Sequence, residues 1–499
     1  MNSFRICVVL AVFLVTSFPS RSQAPEKIAI DLNARTSPFP HFWEQSFGSG
    51  RAILSLRESY RNDLREVKKI TDFRYVRFHA IFHDELGVYD EDENGNPDFN
   101  FTYIGQVYDG LLQNGVRPFV EISFMPKKLA SRQDLHPFWY KQNVAPPKDY
   151  AKWDLLIRNF AQFLIDRYGI DEVSQWYFEV WNEPNIDFWS GDPKQATYFE
   201  LYDHTARALK SVNPRLRVGG PSTSSAHWVD DFLAHVAKEK VPIDFASTHG
   251  YSDDTVEDLF GTHDVIPIEQ RACKAVEKVH KQVLASPFPH LPLFWTEWNV
   301  AGWGSLNARD TSYSATATAQ TIHDCDGMVD IISFWTFSDV FEEGGPVHEP
   351  LPAIFGLLAP GGIKKPSYYA FSLFHKLGAT RLAAPAENVL VTRRENGAAV
   401  IAVWNLSPPD HPGKARTFEL DFSGLHSSPV ALLSRVDSTH SNTLTAYKRL
   451  GSPRYPTLDQ IRQLNSETAL QPPERVRIAS GHLTLSVPVN GLALLELQP

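Results

Sequence analysis

The stretch Trp176-Tyr-Phe-Glu-Val-Trp-Asn-Glu-Pro-Asn185 is an apolar, aromatic-rich run that leads directly into a glutamate, Glu183. A second stretch, Leu293-Phe-Trp-Thr-Glu-Trp-Asn299, has the same character and carries Glu297. Short apolar runs of this kind are typical of parallel strands that are buried on both faces. We therefore expect both glutamates to lie at the ends of buried strands, with their side chains in one cleft.

Around these two stretches, short apolar runs alternate with longer amphipathic stretches. Eight strands are predicted, at Phe42–Ser49, Tyr75–His79, Arg117–Ser123, Trp176–Trp181, Arg217–Gly219, Phe245–His249, Leu293–Thr296 and Ile331–Thr336. Eight helices are predicted, at Leu56–Ile70, Tyr103–Asn114, Tyr150–Tyr168, Tyr198–Val212, Trp228–Lys238, Arg271–Leu284, Thr316–Met328 and Ser367–Lys376. Strands that alternate with helices pair in parallel, so the pattern predicts an α/β fold of the (β/α)₈ TIM-barrel type.

The sequence pattern changes after Leu377 to short apolar runs separated by turn residues. This pattern is typical of a β-sandwich. An isolated alternating strand, Ile28–Leu32, precedes the barrel, and we expect it to pair with the sandwich. The predicted organisation is a signal peptide at 1–24, an N-terminal strand segment at 25–37, a catalytic barrel at 38–378 and a sandwich at 379–499. Pro453–Pro473 is an insertion to which the sequence assigns no role.

The charge and the first residues of the chain restrict its partners and compartment. The 499 residues carry a formal net charge of −10 and no basic run, so nucleic acid is not an expected partner. Arg5, the mostly apolar stretch Ile6–Phe18 and the small residues after it are typical of a secretory signal. No later apolar run reaches the roughly 18 residues needed to cross a bilayer. We expect a secreted or periplasmic protein with no membrane attachment once the signal is removed.

Cysteine and histidine spacing gives no sign of a metal or cofactor. After signal removal only Cys273 and Cys325 remain, both in predicted helices, and either a disulfide or two buried thiols fits them. No Cys/His cluster has the spacing of zinc ligands, and no glycine-rich phosphate loop follows a strand. We predict neither a metal site nor a cofactor.

Two carboxyl groups at the ends of the fourth and seventh strands, which face the same opening across the barrel, are the groups that glycosidic bond cleavage requires. One must stay protonated to assist the leaving group, and the other must stay ionised. At a separation of about 5–5.5 Å the second carboxylate attacks the anomeric carbon and the configuration is retained. We predict that Glu183 is the general acid/base and Glu297 the nucleophile. The alternative is that either is a paired loop carboxylate.

Polar residues at other strand ends are candidate substrate contacts. Asn182 is expected to hydrogen-bond the 2-hydroxyl of the sugar, unless it is only a turn residue. His249 and Tyr251 follow the sixth strand, and the Tyr251 hydroxyl is expected to hydrogen-bond the nucleophile. His79 ends the second strand and is a candidate for binding a sugar hydroxyl; a packed core histidine is the alternative reading for both histidines. Arg77 is predicted to satisfy carboxylates in the barrel floor, and the alternative is that it tunes the charge of a nearby carboxylate.

The third and eighth strands contribute the remaining candidates. Phe124 follows the third strand and either lines the pocket or packs in the core. Trp335 ends the eighth strand, where an aromatic face can pack against a sugar ring. Glu342 and Glu343 follow in a glycine-rich loop and are expected either to accept hydrogen bonds from hydroxyls or to form a solvated acidic turn.

Several motifs in chain order resemble glycoside hydrolase family 39, the β-xylosidase and α-L-iduronidase family of the Asn-Glu-Pro barrel clan. The matching pieces are Phe42-Trp-Glu-Gln-Ser-Phe-Gly-Ser-Gly-Arg51, Phe73-Arg-Tyr-Val-Arg-Phe-His79, Glu121-Ile-Ser-Phe-Met-Pro126, Glu179-Val-Trp-Asn-Glu-Pro-Asn185, His249-Gly-Tyr251, Thr296-Glu-Trp-Asn299 and Phe334-Trp-Thr-Phe-Ser-Asp-Val-Phe-Glu-Glu343. The resemblance implies the same roles for Glu183 and Glu297, a barrel with a sandwich, and no cofactor. Relatives in the family are often oligomeric, which leaves a homo-oligomer open.

The loop after the eighth strand indicates which branch of the family the chain resembles. Its adjacent glutamates look more like the xylosidase branch, and no basic residue lies between Trp335 and Gly345 to pair with the carboxylate of an iduronate. The following segment, Pro346-Val-His-Glu-Pro-Leu-Pro352, is richer in proline than the family pattern, so the identity of the sugar stays open.

The function predicted from the sequence is that of a retaining exo-glycosidase, a β-xylosidase that acts on the non-reducing ends of xylo-oligosaccharides. The alternatives within the family are β-glucosidase, β-galactosidase, α-L-arabinosidase and α-L-iduronidase-like activities. A non-catalytic carbohydrate-binding protein on a degenerate barrel is an alternative of another class. The presence of both strand-end glutamates counts against it.

Overall fold

The predicted barrel is confirmed by the computed structural model, which describes residues 24–302, 308–384, 386–409, 411–425 and 430–497. Eight parallel strands close into a barrel in chain order. The strands are β1 (Ser46–Arg51), β2 (Tyr75–His79), β3 (Arg117–Ile122), β4 (Tyr177–Val180), β5 (Arg217–Thr223), β6 (Phe245–His249), β7 (Leu293–Trp298) and β8 (Ile331–Phe334). The signal peptide predicted at 1–24 falls, but for its last residue, outside the described residues.

A helix of at least nine residues follows each barrel strand, and these eight helices surround the barrel. They are α1 (Glu58–Lys68), α2 (Thr102–Gln113), α3 (Tyr150–Tyr168), α4 (Lys194–Val212), α5 (Val229–Lys238), α6 (Ile268–Ala285), α7 (Tyr313–Cys325) and α8 (Pro366–Phe374). The bounds of β1, β5, β7 and β8 differ from those predicted by two or more residues, and those of β4 by one residue at each end. Phe42–Gln45 form a turn below β1, and β4 ends before Trp181, whose φ of +72° takes the chain out of the strand.

Aromatic side chains close the lower end of the barrel. Phe119, Phe245, Phe294 and Ile331 form one buried cluster, against which Tyr75 and Tyr177 pack. All six residues lie in the first half of their strands. Because this apolar layer fills the bottom, charged residues that point into the barrel are confined to its upper end, where TIM barrels carry their active sites.

The second domain contains two packed sheets. Seven antiparallel strands form one sheet, in the order Thr36–Pro38, Thr380–Leu382, Val389–Arg393, Ala399–Asn405, Gly491–Leu497, Val430–Val436 and Glu474–Arg477. Three strands form the other, in the order Glu26–Asp31, Arg416–Ser423 and His482–Val487. Strand Glu26–Asp31 pairs in parallel with Arg416–Ser423, with Ile28 opposite Leu420. The segment before the barrel therefore belongs to the sandwich, as expected for Ile28–Leu32.

Two helices, Thr443–Arg449 and Leu458–Glu467, lie between two consecutive strands of the sandwich and extend toward the top of the barrel. The second of these occupies the insertion at Pro453–Pro473. Leu464 packs with Ala359 and Ile363, which belong to a short hairpin after β8. The side chain of Asn465 accepts a hydrogen bond from Lys364 N at 2.9 Å and donates one to Gly362 O at 2.9 Å. The insertion thus supports the loop that follows β8.

A disulfide joins Cys273 on α6 to Cys325 on α7, which decides between the two arrangements left open by the sequence. Within the described residues, no helix combines the length and apolar character needed to cross a bilayer.

Candidate active site

Glu183 lies just beyond β4 in an unusual backbone conformation. Its φ of +43° is in the left-handed region, as is the φ of +72° at Trp181. Such a conformation costs a non-glycine residue about 1–3 kcal/mol and is concentrated at functional sites. The Glu183 N–H donates to Ser222 O in β5 at 2.8 Å, which holds the residue in place. This turn directs the carboxyl group over the barrel.

Glu297 lies in β7, and its side chain faces the carboxyl group of Glu183. One oxygen of each carboxyl group and His249 Nδ1 all lie within 4.8 Å of one another. Glu297 accepts hydrogen bonds from Arg77 Nη1 and from the Tyr251 hydroxyl, both at 2.7 Å. Oxygens this close favour a double-displacement site, in which the second carboxylate reaches the anomeric carbon directly, over an inverting site, whose carboxyl groups stand farther apart.

The environments of the two carboxyl groups separate their roles. Burial raises the pKa of Glu183 to about 7, more than the nearby His79 and Arg77 charges lower it. Burial also raises the pKa of Glu297. However, the charged form of Glu297 alone accepts both the guanidinium and the phenol hydrogen bonds described above, and such bonds favour ionisation. Glu183 is therefore the better proton carrier and Glu297 the better nucleophile.

Two residues after β6 contact this pair. His249 is fully buried, and its Nδ1 lies 3.0 Å from Glu183 Oε1 and 3.7 Å from Glu297 Oε1. Burial lowers the pKa of His249 to about 4, so the ring is neutral near neutral pH. Burial and the charge of Glu297 raise the pKa of Tyr251 well above its ordinary value, so the phenol keeps the proton that it donates to Glu297. The structure thus contains the predicted tyrosine contact.

Arg77 connects the barrel interior to the nucleophile. Its guanidinium is fully buried and, besides Glu297, contacts Glu179 Oε2 at 2.5 Å and Glu121 Oε2 at 2.9 Å. It also donates to Asn182 Oδ1 at 2.9 Å. The sequence favoured barrel-floor carboxylates as the partners of Arg77 over a nearby carboxylate whose charge it tunes, and the structure contains both kinds of contact, including the bond to Glu297. The signal was present, since Arg77 and His79 are two residues apart in β2 and so point to the same face.

His79 is a buried cation at the pocket surface. Its Nδ1 lies 2.7 Å from Glu121 Oε2, and its Nε2 lies 3.5 Å from Glu343 Oε1. Burial alone would lower the pKa of His79, but the attraction of Glu121 outweighs it and raises the pKa to about 10. His79 therefore presents an imidazolium N–H toward the space beside Glu297.

A pocket of about 320 Å³ opens above these groups. Seven of the predicted site residues line it, namely His79, Asn182, Glu183, Tyr251, Glu297, Trp335 and Glu343. Nine further lining residues were not predicted, namely Phe138, Phe188, Ser224, Asp253, Asp254, Thr255, Asp258, Gly302 and Phe355. A larger groove of about 890 Å³ lies between α6, α7 and the sandwich, but neither catalytic candidate lines it. Because Glu183 and Glu297 line the smaller pocket, it is the candidate active site.

Trp335 forms one side of this pocket and is 2% exposed. Gly48 in β1 makes this position available, because a Cβ atom at Gly48 would lie 1.9 Å from Trp335 Cε3. The Trp335 and His79 rings lie 4.8 Å apart between centroids. The indole is thus packed tightly where the sequence predicted a surface for the sugar.

The structure corrects three of the expected contacts. Glu342 accepts hydrogen bonds from Arg51 Nη1 at 2.8 Å and Arg57 Nη1 at 2.6 Å, and it does not line the pocket. These two cations draw the side chain away from Glu343, which faces inward. Phe124 is fully buried against Trp181 and Phe188, so it packs in the core and does not line the pocket. His249 touches both carboxylates from within the barrel and does not line the pocket.

Some of these histidines and glutamates lie close enough together to form sets of potential metal ligands. Two sets, His79–Glu121–Glu297 and Glu183–His249–Glu297, belong to the pocket, and a third, His41–Glu44–His375, lies at the lower end of the barrel. In the third set, His41 Nδ1 and His375 Nδ1 contact the Glu44 carboxylate at 2.6 and 2.9 Å, the distances of direct hydrogen bonds. In the pocket, the imidazoles likewise contact the carboxylates directly.

Comparisons with known proteins agree with this geometry. The sequence model described as "Glycosyl hydrolases family 39" matches residues 26–481. The chain is 38% identical to a β-xylosidase from Geobacillus stearothermophilus over 92% of this chain and 93% of that protein. It is 35% identical to a β-xylosidase from Caldicellulosiruptor saccharolyticus over 89% of this chain and 92% of that protein. The crystal structure of a monomeric β-xylosidase from Caulobacter crescentus CB15 superposes with a TM-score of 0.85 at 35% identity, covering 95% of this chain and 99% of that one.

Proposed function

Because this chain belongs to glycoside hydrolase family 39 and is a retaining glycosidase, we propose that it is a β-xylosidase that releases xylose from the non-reducing ends of xylo-oligosaccharides. The observation that carries the proposal is the pair of carboxyl oxygens within 4.8 Å at the bottom of a pocket of about 320 Å³. A pocket of that size suits one terminal sugar with its glycosidic oxygen toward the mouth.

In the proposed first step, Glu297 attacks the anomeric carbon while the bond from that carbon to the leaving oxygen breaks. Glu183 gives its proton to the leaving oxygen, so the departing group leaves as a neutral alcohol. In the second step, water gives a proton to Glu183 and attacks the same carbon, and the ester to Glu297 breaks. Two inversions retain the configuration, and both residues return to their starting protonation states.

The charge of the pocket favours a neutral sugar over a uronic acid. Among the described residues that line it, His79 is the one basic side chain, and it is already paired with Glu121 and lies beside Glu343. Four acidic residues, Asp253, Asp254, Asp258 and Glu343, line the pocket beyond the catalytic pair. The carboxylate of a uronic acid would lie near these acidic side chains and would find no basic side chain in the lining that is not already paired. The glucoside, galactoside and arabinoside alternatives stay open on this argument.

A panel of nitrophenyl glycosides tests the choice of sugar. We expect release from the β-xyloside with the highest kcat/KM, and xylose as the product from xylobiose. Higher activity on a β-glucoside, β-galactoside or α-L-arabinoside would replace the proposed sugar with that one. Silence across the panel would favour the carbohydrate-binding alternative.

The nucleophile is tested by Glu297→Ala. We expect turnover to be abolished, and added azide to restore it by forming a glycosyl azide of inverted configuration, because azide fits the space that the carboxylate leaves. The anomer is read by proton NMR. Unchanged activity in this variant would remove Glu297 from the role.

The acid/base is tested by Glu183→Ala on two classes of substrate. Activated leaving groups need little protonation, so the first step on a dinitrophenyl xyloside should be spared far more than kcat/KM on xylobiose. Equal losses on both would argue against Glu183 as the proton donor.

We also propose that the protein is exported, on the basis of its first 24 residues alone. Fractionation of the native host tests this, since a chain that begins near residue 25 and lies outside the cytoplasm is expected. Full-length chain recovered from the cytoplasm would contradict it.

A further inference from the structure

A tight turn in the loop after β3 points three aromatic side chains in different directions. Phe138 lines the pocket, Tyr140 is buried, and Trp139 between them is 60% exposed. Among the residues that the structure describes, Trp139 is the one exposed tryptophan. Burial of a tryptophan ring is normally favourable, so an exposed one beside a pocket is a surface available for contact.

The backbone around Trp139 is fixed to the wall of the pocket. Its N–H donates to Glu343 O at 2.8 Å, and Glu343 is a pocket residue. The N–H of Lys141 donates to Phe138 O at 3.0 Å, and His83 Nε2 lies 2.9 Å from Tyr140 O. The indole is therefore held at the mouth rather than on a free loop.

One side of the indole rests against the loop that follows β8. A Cβ atom at Gly345 would lie 3.1 Å from Trp139 Cε3 and 3.3 Å from Cδ2, so the ring lies close along this glycine. Because Gly345 has no side chain, nothing from that position covers the remainder of the ring.

We propose that Trp139 forms a second sugar site, on which the leaving-group sugar of the substrate stacks while the terminal sugar occupies the pocket. This inference rests on the function proposed above, because it assumes a substrate with a second pyranose ring. Glu183 must protonate the oxygen between the two sugars, so the second sugar has to lie at the mouth, beyond the pocket. The apolar face of a pyranose, formed by its C–H groups, matches the exposed indole.

Trp139 is placed to bind the sugar without touching the reacting atoms. Since its backbone and one face are already fixed, little conformational freedom is lost when the sugar binds, and most of the contact energy appears as affinity. We expect this contact to contribute roughly tenfold to kcat/KM on a substrate with a second sugar, which corresponds to about 1.4 kcal/mol.

The test compares Trp139→Ala and Trp139→Phe with wild-type enzyme on two substrates. Xylobiose has a sugar to stack on the indole, whereas trifluoroethyl β-xyloside has a leaving group with no ring. We expect Trp139→Ala to lower kcat/KM on xylobiose about tenfold and to leave the trifluoroethyl substrate within about twofold. Trp139→Phe should recover most of the loss because it restores an aromatic face.

A second measurement separates stacking from a general disturbance of the fold. Enzyme trapped as its 2-fluoroxylosyl ester on Glu297 is reactivated by water or, faster, by an added xylobiose acceptor. The acceptor concentration for half-maximal reactivation should rise about tenfold in Trp139→Ala, while reactivation by water should not change. Tyr103→Ala, which removes an exposed ring from α2, is the matched control and should behave as wild type.

The outcomes distinguish the two proposals. If wild-type enzyme hydrolyses both xylosides but Trp139→Ala loses the same factor on each, or loses nothing on xylobiose, the second sugar site is refuted and the β-xylosidase assignment stands. If wild-type enzyme hydrolyses neither xyloside, the proposed β-xylosidase function is refuted, and so is the proposal that Trp139 binds the second sugar of a xyloside.

Discussion

Replacing Tyr251 with phenylalanine should shift the ionisation of the nucleophile by an amount that the structure sets. The phenol donates to Glu297 Oε2 at 2.7 Å, and the Glu297 side chain is buried. A hydrogen bond to a charged group contributes about 1.5–3 kcal/mol. Because one pKa unit corresponds to about 1.4 kcal/mol, Tyr251→Phe should raise the pKa of Glu297 by roughly one to two units.

The sign of the effect on activity follows from the role of the carboxylate. Glu297 attacks only when ionised, so kcat/KM falls as pH drops through its pKa, and a raised pKa moves this acid limb to higher pH. The profile of kcat/KM against pH on a nitrophenyl β-xyloside measures the shift directly. At a pH above the acid-limb midpoints of both wild type and variant, the variant should still be less active than wild type, since the phenol also orients the attacking oxygen.

Tyr60→Phe provides the matched control. Tyr60 is fully buried, and its hydroxyl contacts Ser49 Oγ at 2.9 Å, outside the pocket. Its pH profile should coincide with that of wild type. An acid limb of Tyr251→Phe that coincides with wild type would refute the argument, because it would show that the phenol does not stabilise the charge on Glu297.

Three further predictions concern the acid, a buried lysine and the disulfide. The basic limb of kcat/KM should lie near pH 7, because Glu183, whose burial raises its pKa to about 7, must hold its proton; the limb should vanish in Glu183→Ala with an activated substrate. Lys365→Met leaves two buried aspartates without the ammonium that now contacts them at 2.8 and 2.6 Å, and urea unfolding should show a loss of about 3–5 kcal/mol. Replacing Cys273 and Cys325 together with alanine should lower the unfolding free energy by about 2–4 kcal/mol; equal stability of wild type with and without reductant would contradict this.

The fold and the meeting of Glu183 with Glu297 were predictable because each depends on local pattern. Apolar runs that end in Glu183 and Glu297 mark strand ends, and parallel strands in a barrel bring their carboxyl ends to one opening. The same reasoning placed Tyr251 near the nucleophile, because it follows the neighbouring strand β6. Such features need only the strand order and the direction of the chain.

The loop residues could not be placed from the sequence. Glu342 and Glu343 are adjacent and chemically identical, yet Arg51 and Arg57 hold one outward while the other faces the pocket. These cations come from the opposite end of the barrel sequence, so no local pattern reveals the pairing. Phe138 was missed for a similar reason, since a long loop contains several aromatic residues and the sequence does not tell which one turns inward.

The parallel pairing of Glu26–Asp31 with Arg416–Ser423 has a consequence for how the molecule is made. During translation, Glu26–Asp31 is synthesised well before Arg416–Ser423. The entire barrel is therefore synthesised before this strand can pair. The sandwich can close only at the end of translation, which makes it the last part to acquire its native contacts. The barrel is consequently inserted within the sandwich along the gene, so the barrel is one contiguous segment whereas the sandwich cannot be exchanged as a contiguous cassette.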